Sequence, residues 1–206
     1  MRERADGPRL IVGISGASGV IYGIRLLKML RNLPVESHLV MTRSAEMTLA
    51  YESDLKLSEV HGLADVVYPI GDLGAALSSG SFPTLGMVVA PCSIRSLGEI
   101  ASGVTSTLLT RAADVTLKER RRLVLMLRET PLHLGHLKAM VAVTEMGAVI
   151  APPVPAFYAR PESLEEMVDH TLGRVLDLFG LDSGTVKRWG AKPSGRKGVR
   201  NRAPQA

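Results

Sequence analysis

The sequence predicts an α/β fold: a doubly wound, Rossmann-like parallel sheet with helices on both faces. Three observations carry this. Six apolar runs alternate with segments of helical spacing along the 206 residues. Most of the runs are continuous, as in Met87-Val-Val-Ala90, Leu123-Val-Leu-Met-Leu127 and Ala148-Val-Ile-Ala151. A strand without alternation suits burial on both faces, the condition of a parallel sheet. The first run, Leu10-Ile-Val12, leads straight into Gly13-Ile-Ser-Gly-Ala-Ser-Gly19 and then into a helical pattern.

Strands are expected at 9–14, 36–42, 65–69, 86–91, 123–127 and 147–151. Helices are expected at 20–32, 44–52, 58–64, 94–118, 133–145 and 162–180. Strand and helix in turn imply right-handed crossovers. Ligands of such sheets bind beyond the carboxyl ends of the strands. The glycine loop lies at the first of those ends. Its glycines permit close backbone approach, and the helix behind it offers N–H groups and a positive dipole end to a phosphate. It is neither a P-loop, which needs Gly-Lys-Ser/Thr, nor the dinucleotide fingerprint, because its glycines fall three apart at 13, 16 and 19. The second strand ends in Thr42-Arg43 where an NAD site wants an acid, so a phosphate or flavin edge fits better.

Composition sets the remaining bounds. The length suits one domain, expected over 1–189. No run approaches a membrane span, and the charged start lacks an apolar signal region. One cysteine, Cys92, excludes an internal disulfide and fits a reducing cytoplasm. The net charge of +5 equals the five cations of residues 190–206, which hold no acid, so residues 1–189 sum to zero. That tail has almost nothing to bury and is expected to be a disordered, solvated segment rather than a nucleic-acid arm.

Polar groups recur after the strands: Ser15 and Ser18; Thr42 and Arg43, with Glu52 beyond; Ser93, Arg95 and Ser96; Arg128 and Glu129; and the run from Pro152 to Tyr158. Hydroxyls, arginines and two acids are thus expected on one rim. Arg111 and Lys118 lie seven apart, on one helical face, and with Arg128 and Arg174 could form a second anion site. Cys92 reads as a buried structural thiol, since no base accompanies it. His133 and His136 lack a third ligand, so no metal is expected.

Five blocks in order resemble the flavin prenyltransferase family (UbiX-type), within the wider flavin-binding Cys-decarboxylase-like superfamily. They are Gly-Ile-Ser-Gly-Ala-Ser-Gly-Val-Ile-Tyr-Gly, Pro-Cys-Ser-Ile, Arg-Ala-Ala-Asp-Val-Thr-Leu-Lys-Glu-Arg-Arg, Arg-Glu-Thr-Pro-Leu-His and Pro-Pro-Val-Pro-Ala-Phe-Tyr. The resemblance runs from about Arg9 to Trp189. It implies metal-independent transfer of a dimethylallyl group from dimethylallyl monophosphate to N5 and C6 of reduced FMN. The prenylated FMN would serve UbiD-type decarboxylases, and both ubiquinone synthesis and aromatic-acid decarboxylation draw on it. The resemblance further implies a homododecamer with sites between subunits. It assigns FMN to Gly16, Ala17, Ser18, Thr42, Ser93, Ile94, Arg95, Ser96 and Arg128, and the substrate phosphate to Lys118, Tyr158 and Arg174 with Arg111 in support. Proton handling falls to Ser18, Glu52 and Glu129. The sequence departs from some members at Gly74-Ala-Ala-Leu77, where they carry a tryptophan. An FMN-dependent cysteine decarboxylase and a non-catalytic flavin carrier are the alternatives. Glu52 and Pro131-Leu-His-Leu134 stand where such decarboxylases carry a histidine and a Pro-x-Met-Asn word.

Overall fold

The computed structural model describes residues 7–190. The tail expected at 190–206 lies, past Gly190, outside the described residues. Six strands form one all-parallel sheet: β1 (Arg9–Ile14), β2 (Glu36–Met41), β3 (Val66–Tyr68), β4 (Gly86–Cys92), β5 (Arg122–Leu127) and β6 (Val149–Ile150). Their order is β3-β2-β1-β4-β5-β6. Every pairing is parallel. The chain therefore winds outward from β1, returns to the centre, and winds outward again from β4. The crevice between the carboxyl ends of β1 and β4 is the topological switch point, where open α/β sheets bind ligands.

Among the described residues seven α-helices cover the sheet: α1 (Val20–Leu30), α2 (Arg43–Glu52), α3 (Leu57–His61), α4 (Ile94–Ala101), α5 (Leu108–Lys118), α6 (Leu134–Glu145) and α7 (Leu164–Asp177). Alternation within the buried strands sorts them onto two faces. Leu10, Val12 and Ile14 pack with α1 and α7 through Ile24, Leu27, Leu172 and Leu176. Ile11, Met87 and Val89 pack on the other face with α4 and α5 through Leu97, Leu108 and Leu109. Full burial of each such side chain stabilises the fold by about 1.5–3 kcal/mol.

The helix expected over 94–118 is two helices. Gly103 adopts a left-handed φ of 68°, and Thr107 caps α5 by accepting from the Thr110 N–H. Left-handed backbone and a fresh N-cap both end a helix in favour of a new one. The second strand stops at Met41 because Thr42 turns out to cap α2. At the chain's last strand only Val149 and Ile150 pair.

Among the described residues no helix is long and apolar enough to cross a membrane.

Candidate active site at the strand switch point

Three helices begin around the β1–β4 crevice. Gly19, at φ 97°, turns the chain from the glycine loop into α1. Thr42 Oγ1 accepts from the Ala45 N–H at 3.1 Å to start α2. Ser93 Oγ accepts from the Ser96 N–H at 3.2 Å to start α4. Each N-terminus directs partial positive charge toward the rim.

The loop sits tightly against its neighbours. A Cβ on Gly16 would fall 2.3 Å from Ser44 Oγ, and one on Gly23 would fall 2.6 Å from the Ala90 carbonyl. Glycine at 23 lets α1 lie directly on the end of β4. Glycine at 16 lets the loop touch α2, whose Ser44 hydroxyl also meets Thr42 Oγ1 at 3.1 Å.

Glu52 occupies the α1 seat that the sequence reading reserved for a phosphate. Its carboxylate accepts from the Gly19 N–H at 2.8 Å and the Val20 N–H at 3.0 Å. Both ends of α2 therefore stand at the rim, because the Thr42 N–H donates to the Ile14 carbonyl at 3.0 Å. Burial alone would raise the Glu52 pKa. The Ser18 hydroxyl, the two amides and the nearby Arg128 charge outweigh it and hold the carboxyl below its ordinary 4.5. Glu52 is thus a fixed, ionised group within reach of Ser18 and Arg128. Arg128 is exposed at the end of β5, where its N–H donates to the Cys92 carbonyl at 3.0 Å. It also acts on Tyr22, whose phenol burial pushes up and the guanidinium pulls back. Glu129 accepts only locally, from the Thr130 N–H at 3.1 Å.

The α4 segment divides by direction. Ile94 and Ser93 are part-buried beside the loop, while Ser96 is buried with its hydroxyl accepting from that of Ser93 at 3.1 Å. Arg95 is exposed and pairs along its own helix with Glu99 at 2.9 Å. Cys92 is fully buried, and its thiol is pushed up to about 12 by loss of solvent. It has neither the thiolate character nor the access of a nucleophile.

One chain does not bring Lys118 or Arg174 to this rim, and Arg111 is engaged within its own helix and by the segment before β4. Arg111 and Lys118 lie on α5, on one face of the sheet. Arg111 donates to Asp114 at 2.8 Å and to the Ser78 carbonyl at 3.2 Å. Lys118 pairs with Glu119 four residues before the start of β5, at the opposite end of the strands. A strand of this length separates the two ends by about 20 Å. Arg174 lies on the other face of the sheet, near the end of α7, and donates to Asp177 at 2.5 Å. Arg188 donates to the same carboxylate, with its Nη2 at 2.8 Å from Oδ1. Tyr158 packs edge-on to His170 at 5.6 Å and to Trp189 at 5.2 Å. Arg188 and Ser44 carry no sequence signal of their own: Arg188 meets Arg174 at the shared Asp177, and Ser44 stands two residues after Thr42.

The rings of His133 and His136 lie with centroids 3.5 Å apart, tilted by 32°, and His133 Nδ1 accepts from the Gly135 N–H at 3.0 Å as the cap of α6. Among the described residues no group of three His, Cys, Asp or Glu is placed to hold a metal ion.

The flavoprotein family model matches residues 1–176. "Flavin prenyltransferase UbiX" of Escherichia coli (strain K12) is 60% identical over 184 residues, 88% of this chain and 97% of that protein. The chain belongs to the UbiX flavin prenyltransferase family. A crystal structure of AnUbiX (PadA1) in complex with FMN and dimethylallyl pyrophosphate superimposes with a TM-score of 0.89 at 51% identity, covering 91% of this chain and all of that one. A dodecameric FMN-dependent UbiX-like decarboxylase from Escherichia coli O157:H7 gives 0.86 at 47% identity, covering 88% and 98%.

The rim residues fit FMN on their own chemistry. Glycine at 16 leaves backbone exposed where a side chain has no room. Thr42, Ser18 and Ser93 supply hydroxyls, Arg128 an exposed cation, and the N-termini of α2 and α4 face the same crevice, that of α1 being taken by Glu52. A flavin mononucleotide offers a ring edge and a phosphate to such a set.

Proposed function

We propose that this protein is a flavin prenyltransferase that joins the dimethylallyl group of dimethylallyl monophosphate to N5 and C6 of reduced FMN. The observation that carries the reading is the switch-point rim, built from the family's motif residues and fitted to a flavin. Reduced FMN supplies an electron-rich ring to be alkylated. The chain's residues bind it, orient it, hold the phosphate and move the protons.

Gly16, Ala17, Ser18 and Thr42 seat the FMN, with Ser93, Ile94, Arg95 and Ser96 along the ring and Arg128 at its edge. Lys118, Tyr158 and Arg174, supported by Arg111, grip the substrate phosphate. Cations already placed beside a departing phosphate stabilise the charge that develops on it. Ring closure at C6 releases a proton, so a carboxylate must stand near. Glu52, ionised and hydrogen-bonded to Ser18, is the first candidate, and Glu129 is the second. Since Lys118 and Arg174 lie at the ends of α5 and α7 away from their own chain's rim, the full site needs neighbouring subunits, in keeping with a homododecamer. The product passes to UbiD-type decarboxylases, and the enzyme works in the cytoplasm.

Anaerobic incubation with reduced FMN and dimethylallyl monophosphate tests this. A covalent flavin adduct heavier by one prenyl unit is expected. Flavin of unchanged mass with both the monophosphate and the pyrophosphate would contradict it.

A further inference from the structure

The two serines of the glycine loop point in opposite directions. Ser18 is exposed at the rim, whereas Ser15 is only 1% exposed. Ser15 Oγ donates to the Pro91 carbonyl at 2.9 Å and accepts from the Ser93 N–H at 2.7 Å. Its own N–H donates to the same Pro91 carbonyl at 3.2 Å. One side chain therefore satisfies two backbone groups of the β4–α4 turn, across 76 and 78 residues of sequence.

These contacts join the two strands that flank the switch point. On one side, the Ala17 N–H donates to the Ser15 carbonyl at 2.9 Å, so the loop carrying Gly16, Ala17 and Ser18 is built on this residue. On the other side, Ser93 is the cap that starts α4. The hydroxyl has its proton on Pro91 and takes an amide proton from Ser93, and it is sealed from solvent. It is spent on the protein and faces no ligand.

We infer that Ser15 is a positioning residue, whose hydroxyl sets the register between the two halves of the FMN seat. The inference rests on the flavin-binding reading above and adds a residue to it. Removing the hydroxyl leaves one bond of the buried Pro91 carbonyl and the N–H of the part-buried Ser93 without a partner. The turn must then shift to reach other partners, and the Ser93–Ser96 segment moves relative to Gly16–Ser18. A buried group left unsatisfied carries a penalty large enough to weaken FMN binding about tenfold or more.

The test is an isosteric pair. Ser15→Thr keeps the hydroxyl, and Ser15→Val has the same shape without it, so any crowding is common to both. FMN affinity is measured by quenching of flavin fluorescence, and the KM for dimethylallyl monophosphate is measured at saturating FMN. The expected result is FMN binding at least tenfold weaker in Ser15→Val than in Ser15→Thr, an altered flavin absorption band, and a substrate KM shared by both. Ser15→Ala, which introduces no crowding, repeats the comparison with wild type if Ser15→Val does not fold. Equal FMN affinity within the pair, or between Ser15→Ala and wild type, overturns the inference while leaving the function intact. A wild type that takes up no FMN overturns the function and the inference with it.

Discussion

The carboxyl end of the sheet and the helices α5 and α7 hold their polar groups in different ways. At the rim, short side chains and backbone amides from distant segments bind one another: Glu52 to α1, Ser15 to the β4–α4 turn, and the Thr42 N–H to the end of β1. Contacts there cross 33 and 78 residues. On α5 and α7, each cation meets an acid nearby in the chain: Arg111 with Asp114, Lys118 with Glu119, Arg174 with Asp177. These pairs are part-exposed and contribute little to stability. The rim is held in shape by long-range hydrogen bonds within one chain. The cations are each paired with an acid one to three residues away in the chain.

The largest test of that contrast is Glu52→Gln. Its amide oxygen still accepts from Gly19 and Val20, so FMN binding should persist. Without the base, single-turnover prenylation should fall by about 10²–10⁴-fold. Normal turnover would move the base to Glu129. Next is Lys118→Ala, or Arg174→Ala, for which about 3 kcal/mol of transition-state stabilisation should be lost, roughly 10²-fold in rate. FMN titration should be unaffected, since neither residue touches the rim; a parallel loss of FMN affinity would merge the two regions.

Smaller effects probe the seat's construction. Gly23→Ala drives a Cβ against Ile14 Cδ1 at 2.5 Å and the Ala90 carbonyl. Overpacking of this kind costs about 1–3 kcal/mol, so the thermal midpoint should drop together with FMN uptake. Acidification should spare the Glu52 contact for longer than an ordinary carboxylate. Its pKa is depressed in the folded chain, so the contact is complete above the unfolded value and is lost as pH falls through the folded one. Amide shifts of Gly19 and Val20 should stay constant from pH 8 to about 5.5 and move only below. Alkylating reagents at pH 8 should leave Cys92 unmodified and activity unchanged, given its burial and a thiol pushed up to about 12.

All six strands were legible because continuous apolar runs have few other uses in a chain this size. The rim was legible because a parallel sheet fixes where its ligands bind. Gly103 and Thr107 carried the split of the long helix, although apolar spacing ran across both. What stayed hidden depends on tertiary placement. Nothing in Tyr-Glu-Ser-Asp shows that Glu52 will fold back onto α1. Nothing near Ser15 shows that its hydroxyl turns inward while that of Ser18 turns out. The seven-residue spacing of Arg111 and Lys118 gave their shared helix but not which end of the sheet it reaches.

The central claim is that the flavin seat comes from one chain and the phosphate cations from a neighbour. Mixed assemblies of Glu52→Gln and Lys118→Ala test it directly, each variant being close to inactive alone. Co-assembled, some sites would unite an intact Glu52 rim with an intact Lys118 from another subunit, and prenylation should rise well above the sum of the two separate variants. Activity that stays at that sum would show that rim and cations belong to the same chain.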